Sequence, residues 1–215
     1  MDPLPFEVRL ELEGWRLFWA LLEVQDNTQG NFSDIAREVV ARVRREMQLD
    51  ALSTHRTVAA LRKLFKAAGT DPTRYRPSSE ALLRRLLKGE EMPTISPLVD
   101  LNNCLSASLA VPCCVMAEET LSPPFLFRAG RAGESYESLR GPFNLEGKPL
   151  LLDSAGPCDA PITGSQRVKV TPETKRAWLA AYLPAGIVPE EEAERQLEAL
   201  LSAAPVVNLL GTGAA

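Results

Sequence analysis

The sequence of 215 residues predicts an α+β fold, a twisted β-sheet or sandwich whose core is packed by peripheral helices. Apolar residues recur at helical spacing through most of the first half, whereas the second half alternates short apolar runs with Gly- and Pro-rich turns. Helical patterns followed by strand patterns are typical of α+β folds rather than of a regular βαβ array. Hydrophobic residues make up 45% of the chain, so we expect residues 1–215 to form one domain with a sizeable core.

The first 73 residues predict strands and helices that pack on the rest of the domain. Residues 6–12 alternate apolar and charged side chains, as a half-buried strand does, and Trp15–Val24 is apolar enough for a central strand or a short helix. The elements that follow are a turn at residues 27–31, a helix from Asn31 or Ser33 to Met47, and a helix from Ser53 or Thr54 to Ala68.

A third helix is predicted within the stretch YRPSSEALLRRLLKG, residues 75–89. Pro77 and Ser78 suit a helix start, and Gly89 suits a helix end because glycine adopts a left-handed conformation at low cost. Leucines fall on one face of this helix, and the basic residues that lie off that face are Arg84, Arg85 and Lys88.

A fourth helix follows a Gly- and Pro-containing connector and carries polar residues near its start. Asp100 and Asn103 flank its apolar stripe, where a carboxylate and an amide could bind an amine, a ribose hydroxyl or a water molecule. Alternatively, Asp100 caps its own helix and Asn103 bonds to loop backbone. The stripe itself consists of Leu98, Leu101, Leu105 and Leu109.

The second half predicts short strands, one helix and a frayed end. We expect strands at residues 113–117, 125–128, 149–153, 168–170 and 175–182, a loop or hairpin at 129–141, a helix from Pro189 to about Ala203, and a frayed tail at 205–215. The predicted core includes Trp19, Leu83, Leu87, Leu101, Leu105, Leu151 and Trp178.

Composition excludes several classes of protein. A formal charge of −4 argues against a general nucleic-acid coat, although not against a local basic patch. No apolar run reaches the length of a membrane helix, no signal peptide is evident, and we expect a cytoplasmic protein. Cofactor-binding motifs are absent, and the cysteines lack metal-site spacing, so we predict neither a cofactor nor a metal.

The stretch YRPSSEALLRRLLKG, then P-x-I-x-P-L-V-D-L-N-N-C-L-S and Pro112, resembles the B3/B4 domain of the phenylalanyl-tRNA synthetase β subunit. It resembles more closely the freestanding B3/B4-domain proteins, over residues 74–184. In the synthetase this domain is the editing module, which hydrolyses tyrosine wrongly attached to the phenylalanine tRNA. The resemblance implies the same fold, an aminoacylated tRNA acceptor end as partner, and deacylation of mischarged tRNA in trans.

Two departures from the synthetase pattern limit that expectation. Cys114 lies two residues after Pro112, at the place of the histidine in the P-x-H pattern of synthetase β subunits. The Gly-Gly-Glu signature of their editing sites is not evident either. The single histidine, His55, lies outside the motif, which argues against histidine-dependent hydrolysis. Cys114 could be a nucleophile only if its thiol pKa fell below the usual ~8.5, and a buried structural thiol is the alternative.

The resemblance, combined with these residue types, suggests roles. Asp100 or Asn103 would orient a water molecule or the substrate amine, and backbone amides near Cys114 would face the oxyanion. Arg167 and Lys169, which alternate along a predicted strand, would contact the terminal phosphate. The basic residues of the third helix would steer the acceptor stem. The alternative is a non-catalytic module that binds tRNA or an amino acid with the same fold.

Overall fold

The computed structural model describes residues 7–25, 32–204 and 207–215, and it confirms the predicted α+β class. The turn expected at residues 27–31, with the alternative helix start at Asn31, lies outside the described residues, as do the first residue of the 6–12 strand and residues 205–206 of the expected tail. The helices are α1 (Ser33–Glu46), α2 (Arg56–Ala67), α3 (Ser78–Leu87), α4 (Pro97–Leu109) and α5 (Glu190–Ala203). The strands are β1 (Val8–Leu10), β2 (Trp15–Val24), β3 (Cys113–Ala117), β4 (Phe125–Ala129), β5 (Ser135–Ser138), β6 (Gly141–Asn144), β7 (Pro149–Asp153), β8 (Gly156–Ala160), β9 (Thr163–Gly164), β10 (Arg176–Pro184) and β11 (Val207–Ala214).

Two sheets and a separate hairpin hold these strands. The first sheet is antiparallel with the order β11-β2-β10-β3. The second has the order β1-β4-β7-β8-β9, in which only β1 and β4 run parallel among the described pairs. The β5–β6 hairpin lies where the sequence predicted a loop or hairpin.

The position of β2 inside the first sheet explains why most of its side chains are apolar on both faces. It lies between β10 and β11 and is covered on its faces, so Trp15, Leu17, Leu21 and Leu22 are all buried. A central strand of this kind has no polar face to expose. The strand interpretation of Trp15–Val24 is therefore confirmed, and the alternative of a short helix is wrong.

Helix α4 lies at the centre of the helical layer. It packs against α1, α3 and α5, and Leu101 and Leu105 have no solvent exposure. Five of the seven predicted core residues are buried: Leu83, Leu101, Leu105, Leu151 and Trp178. Trp19 and Leu87 are partly buried and pack against the same core.

Between residues 149 and 170 the structure differs from the prediction at two segments. Residues 168–170 do not form a strand, because this segment contacts β3 through the single bridge between Lys169 and Met116. The segment that does form a strand is β8, which the sequence analysis missed because Pro157 and Asp159 interrupt its apolar pattern. The consequence is that the expected alternation of Arg167 and Lys169 on one strand face does not occur.

The C-terminal residues are not a frayed tail. β11 pairs antiparallel with β2 from Val207 to Ala214, with a bulge at Leu209 and Gly211. Gly213 lies against the Trp19 ring so closely that a Cβ there would be 2.2 Å from Trp19 Cζ2. The lack of a side chain at Gly213 permits this close approach.

Candidate functional site

A cavity of about 440 Å³ opens between helices α3 and α4, strand β3, and the chain around β8 and β9. The connector before α4 contributes Ile95, and the β5–β6 turn contributes Leu139. These two side chains are 66% and 54% exposed, which makes them the most exposed large apolar residues of the described chain. The cavity therefore has apolar groups at its surface, as ligand pockets commonly do.

Helix α4 supplies the amide side of the cavity. Asn102 and Asn103, on the first turns of the helix, both line the wall. Asn102 Oδ1 is buried and has no hydrogen-bond donor among the described residues. Such an acceptor costs free energy when it stays unsatisfied, so it marks a position where a ligand donor would be stabilised.

Asp100 does not line the cavity. Its Oδ1 accepts a hydrogen bond from the backbone N–H of Ile95 at 2.8 Å, and the residue is 5% exposed. Burial raises the pKa of this carboxyl, while the backbone N–H groups of Ile95 and Ser96 oppose that rise. The carboxylate thus holds the connector against the start of α4, the structural role that the sequence had left open.

Strand β3 supplies the opposite wall, and its thiols are not ionised. Cys113, Cys114 and Val115 line the cavity. Burial raises the pKa of the Cys114 thiol well above its ordinary value, and the nearby Asp159 carboxyl raises it further. Burial likewise raises the pKa of Cys113. Neither sulfur is therefore a thiolate nucleophile near neutral pH.

The backbone of β3 is better placed than its thiols for an electrostatic role. β3 is an edge strand, and Pro112 O accepts a hydrogen bond from Tyr182 N of β10 at 2.9 Å. The alternation of an antiparallel ladder then directs the N–H groups of Cys113 and Val115 away from β10, toward the edge beside the cavity.

Asp159, on β8, lines the cavity although it is only 2% exposed. Its Oδ2 accepts a hydrogen bond of 2.6 Å from the Tyr182 hydroxyl, and the Cys114 side chain also bonds to it. Burial raises the pKa of Asp159 to about 7, against the opposing effect of these hydrogen bonds. A carboxyl group that changes charge near neutral pH is often functional.

Basic side chains line the outer part of the cavity. Arg85, Arg140 and Lys169 belong to its wall, and all three are exposed. Arg85 Nε pairs with Glu90 at 2.8 Å, on a surface where such pairs are weak and easily exchanged. Lys88 is exposed but does not line the cavity.

Two arginines that were predicted to contact the tRNA, Arg84 and Arg167, pair with buried carboxylates instead. Arg84 Nε donates to the buried Glu80 at 3.1 Å. Arg167 donates to both carboxylate oxygens of Asp153, at 2.9 and 3.2 Å, and to the backbone oxygens of Gly156 and Thr120. Neither Arg84 nor Arg167 lines the cavity wall.

The structure therefore brings together Asn103, Cys114, Arg85 and Lys169, and it adds residues that the sequence analysis missed. Asp159 was missed because a lone acid between cysteine and alanine resembles a turn residue until β8 is recognised. Nothing in the sequence distinguished Asn102 from the neighbouring Asn103 as a site residue. Arg140 lies in the β5–β6 turn, and only the tertiary structure shows that this turn borders the cavity.

Several other features lie outside this site. His55 is not on the cavity wall, and burial lowers the pKa of its imidazole. Within residues 7–25, 32–204 and 207–215, no group of three or more His, Cys, Asp or Glu side chains is arranged to hold a metal ion. In the same ranges no helix combines the length and apolarity that crossing a membrane requires.

Comparison with known proteins gives a family and a structural neighbour. A family model described as the B3/4 domain matches residues 60–196, more than half of the chain, and residues 74–184 lie within that range. Among solved structures that match is an N-terminal fragment of the phenylalanyl-tRNA synthetase β subunit from Pyrococcus horikoshii, with 18% identity and a TM-score of 0.42. The match covers 52% of this chain and 41% of that fragment. No curated protein matches the sequence.

Proposed function

The chain belongs to the B3/4 domain family, and on this premise we propose that its cavity binds the aminoacyl end of a mischarged tRNA and hydrolyses the ester bond in trans. The observation that carries the proposal is the cavity itself, which combines apolar side chains, an unsatisfied amide oxygen and exposed basic residues. Its volume of about 440 Å³ suits an amino acid esterified to a ribose.

The chemistry does not require a nucleophilic side chain. An aminoacyl ester is already activated, so a positioned water molecule and a stabilised oxyanion are sufficient. The N–H groups of Cys113 and Val115 are the candidate oxyanion donors, and the Asn103 amide is the candidate for orienting the water or the ester. The vicinal hydroxyl of the terminal ribose would help to place that water.

The basic residues would bind the phosphates that follow the terminal adenosine. Arg85, Arg140 and Lys169 border the cavity, where a nucleotide chain leaving it would pass. Lys88, one turn beyond Arg85 on the same helical segment, would extend this basic surface. Arg84 and Arg167 take no part in this proposal, since carboxylates inside the protein engage them.

One observation favours the alternative, a module that binds the same ligand without hydrolysing it. No histidine lines the cavity, and burial raises the pKa values of the two thiols on its wall, so neither thiol is ionised near neutral pH. The two functions differ in turnover alone, so they predict the same binding site.

A deacylation panel separates them. Purified protein is incubated with tRNAs charged with correct and incorrect amino acids, and ester loss is compared with the spontaneous rate. Asn103→Ala is expected to lower the rate about 10²-fold, the usual effect of removing one transition-state donor. Asn208→Ala, on β11 and remote from the cavity, is the matched control. Binding of tRNA without ester loss across the panel would support the module, and neither binding nor loss would refute both.

A further inference from the structure

Four acidic side chains are buried in the described part of the chain, and Asp159 differs from the others. Glu80 pairs with Arg62 at 2.9 Å and Asp153 pairs with Arg167 at 2.9 Å, while Asp100 accepts a backbone N–H. Asp159 has a phenol and a thiol for side-chain partners, and no arginine or lysine of the described residues pairs with it.

The neighbours of Asp159 cannot supply a compensating positive charge. Burial raises the pKa of Cys114, Cys158, Tyr136 and Tyr182, so each stays neutral beside the carboxyl group. An ionised carboxylate that is buried without a cation is destabilised, so a cationic ligand group would relieve a cost that the free protein bears.

Space for such a group exists next to the carboxylate. Gly164 lines the cavity across from Asp159, and a Cβ at Gly164 would lie 3.7 Å from Asp159 Oδ1. Gly164 therefore has no side chain to cover that oxygen, and the other side chain near this point is that of Leu139, whose Cδ1 would be 3.3 Å from the same Cβ. Asn102 Oδ1, on helix α4 of the same cavity, is a second acceptor that lacks a donor in the described residues.

The charged residues of the cavity are separated by depth, with negative charge in the buried part and positive charge at the exposed part. Its one lining acid, Asp159, is buried, whereas its lining bases, Arg85, Arg140 and Lys169, are exposed. A ligand with an ammonium group at one end and phosphate at the other would match both. An ammonium group also carries three N–H donors, which suits several oxygen acceptors together.

We propose that Asp159 is the anchor for an alkylammonium group of the ligand, bound at the buried part of the cavity with Asn102 as a second acceptor. Asp159 is a positioning residue in this role: it fixes the amine so that the neighbouring ester lies beside β3. That the amine belongs to an aminoacyl-tRNA rests on the proposed function, whereas the ammonium site itself does not. The amine could be the α-amine or a side-chain amine of the bound residue.

Calorimetric titration with three stable probes tests the proposal. All three join an aminoacyl group to 3′-amino-3′-deoxyadenosine through an amide: phenylalanyl, N-acetyl-phenylalanyl, and Nα-acetyl-lysyl. Wild-type protein is expected to bind one ammonium-bearing probe at least about tenfold more tightly than the N-acetyl-phenylalanyl probe. Preference for phenylalanyl identifies the α-amine, and preference for Nα-acetyl-lysyl identifies a side-chain amine. Equal affinities, or no binding of any probe, would overturn the proposal without use of a variant.

Asp159→Asn then tests the residue. The amide keeps the size of the carboxyl group and an oxygen for the Tyr182 hydroxyl, and thermal unfolding checks that the variant is folded. The preference is expected to fall to within about twofold in Asp159→Asn. Glu119→Gln, which removes a carboxylate at an exposed residue outside this cavity, is expected to retain the preference. A preference that survives Asp159→Asn would assign the ammonium site elsewhere.

The outcome is distinguishable from that of the deacylation panel. A protein that cleaves aminoacyl-tRNA and N-acetyl-aminoacyl-tRNA equally well would keep the proposed function and refute the ammonium anchor. A protein that cleaves no ester but distinguishes the probes would keep the anchor and refute the hydrolase.

Discussion

Asp159 gives the molecule an acid whose charge depends on folding. Burial raises its pKa to about 7, compared with about 3.9 for aspartate in an unfolded chain. Because the folded state favours the protonated form, the stabilising contribution of this group is complete below pH 4 and is lost as the pH rises through 7.

The free energy of unfolding is therefore expected to contain a component that declines between about pH 4 and pH 7 and that Asp159→Asn removes. Urea unfolding across this range, for the wild type and the variant, measures the difference between the two curves. Other carboxyl groups contribute equally to both proteins and cancel in that difference. A difference that does not change with pH would contradict the raised pKa of Asp159.

Cys114 is expected to be dispensable for hydrolysis. Its thiol is partly buried and the pKa of that thiol is raised, so we expect Cys114→Ser to retain deacylation within about tenfold of the wild type. The matched measurement is the rate of alkylation by iodoacetamide at pH 7, which should be slow for Cys114 in the folded protein. Loss of deacylation in Cys114→Ser with unchanged probe binding would restore the thiol as nucleophile.

Helix α3 is held in place by a buried carboxylate. Glu80, with no solvent exposure, accepts two hydrogen bonds from Arg62 at 2.9 and 3.0 Å and one from Arg84 at 3.1 Å. This network joins α3 to α2 and orients the face that carries Arg85 and Leu82 to the cavity.

Glu80→Gln is expected to destabilise the protein by roughly 3–5 kcal/mol, because it leaves arginine charges without their buried partner. Glu90→Gln provides the control, since Glu90 pairs with Arg85 at the surface and should contribute less than about 1 kcal/mol. Urea unfolding of both variants measures the two effects. Similar losses in the two variants would show that burial of Glu80 has no special importance.

Strand β11 depends on a glycine that has no space for a side chain. Gly213→Ala would place a methyl group against the Trp19 ring, and we expect a loss of about 1–3 kcal/mol, as for other overpacked sites. Gly211→Ala, in the same strand, has no atom within 4 Å of the added Cβ and should change stability little. Thermal unfolding compares the two, and equal stability would contradict the close packing of β11 on β2.

Sequence patterns predicted the elements that carry a strong period and missed those that tertiary contacts create. Helix α4 was predictable because its apolar stripe follows the helical period, whereas the apolar run of β2 suited either a strand or a short helix until its pairing was known. β8 and β11 were not predictable, since Asp159 and the glycines of β11 become strand residues only through their neighbours. The site residues also differ in whether the sequence could predict them. Asn103 was predicted from a motif and Lys169 from its positive charge, whereas Asp159 can be recognised only once the residues buried beside it are known.

At the scale of the whole molecule, a net charge of −4 coexists with a local group of basic residues at the cavity. Such a group attracts a polyanion only where it is concentrated, so tRNA would bind at this surface and be repelled elsewhere. Salt should weaken this attraction, because bound phosphates release counterions.

Replacement of Arg85, Arg140 and Lys169 together by alanine is expected to lower the slope of log affinity for tRNA against log salt concentration by about 2, at roughly 0.7 per phosphate of a single strand. A triple variant at remote exposed positions, Arg37, Arg45 and Arg195, controls for net charge. Filter binding between 50 and 200 mM salt (roughly the range over which such contacts are lost) gives both slopes. Equal slopes in the two variants would place the tRNA on another surface.

The position of β2 between β10 and β11 has a consequence for biosynthesis. Both partners of this early strand come from the last part of the chain, so Trp15–Val24 leaves the ribosome long before either partner does. An apolar segment that stays unpaired during synthesis is prone to aggregate and is a suitable client for chaperones. Pairing between distant segments also slows folding. Formation of the first sheet should therefore be a late and cooperative step of refolding, which follows formation of the helices between its strands.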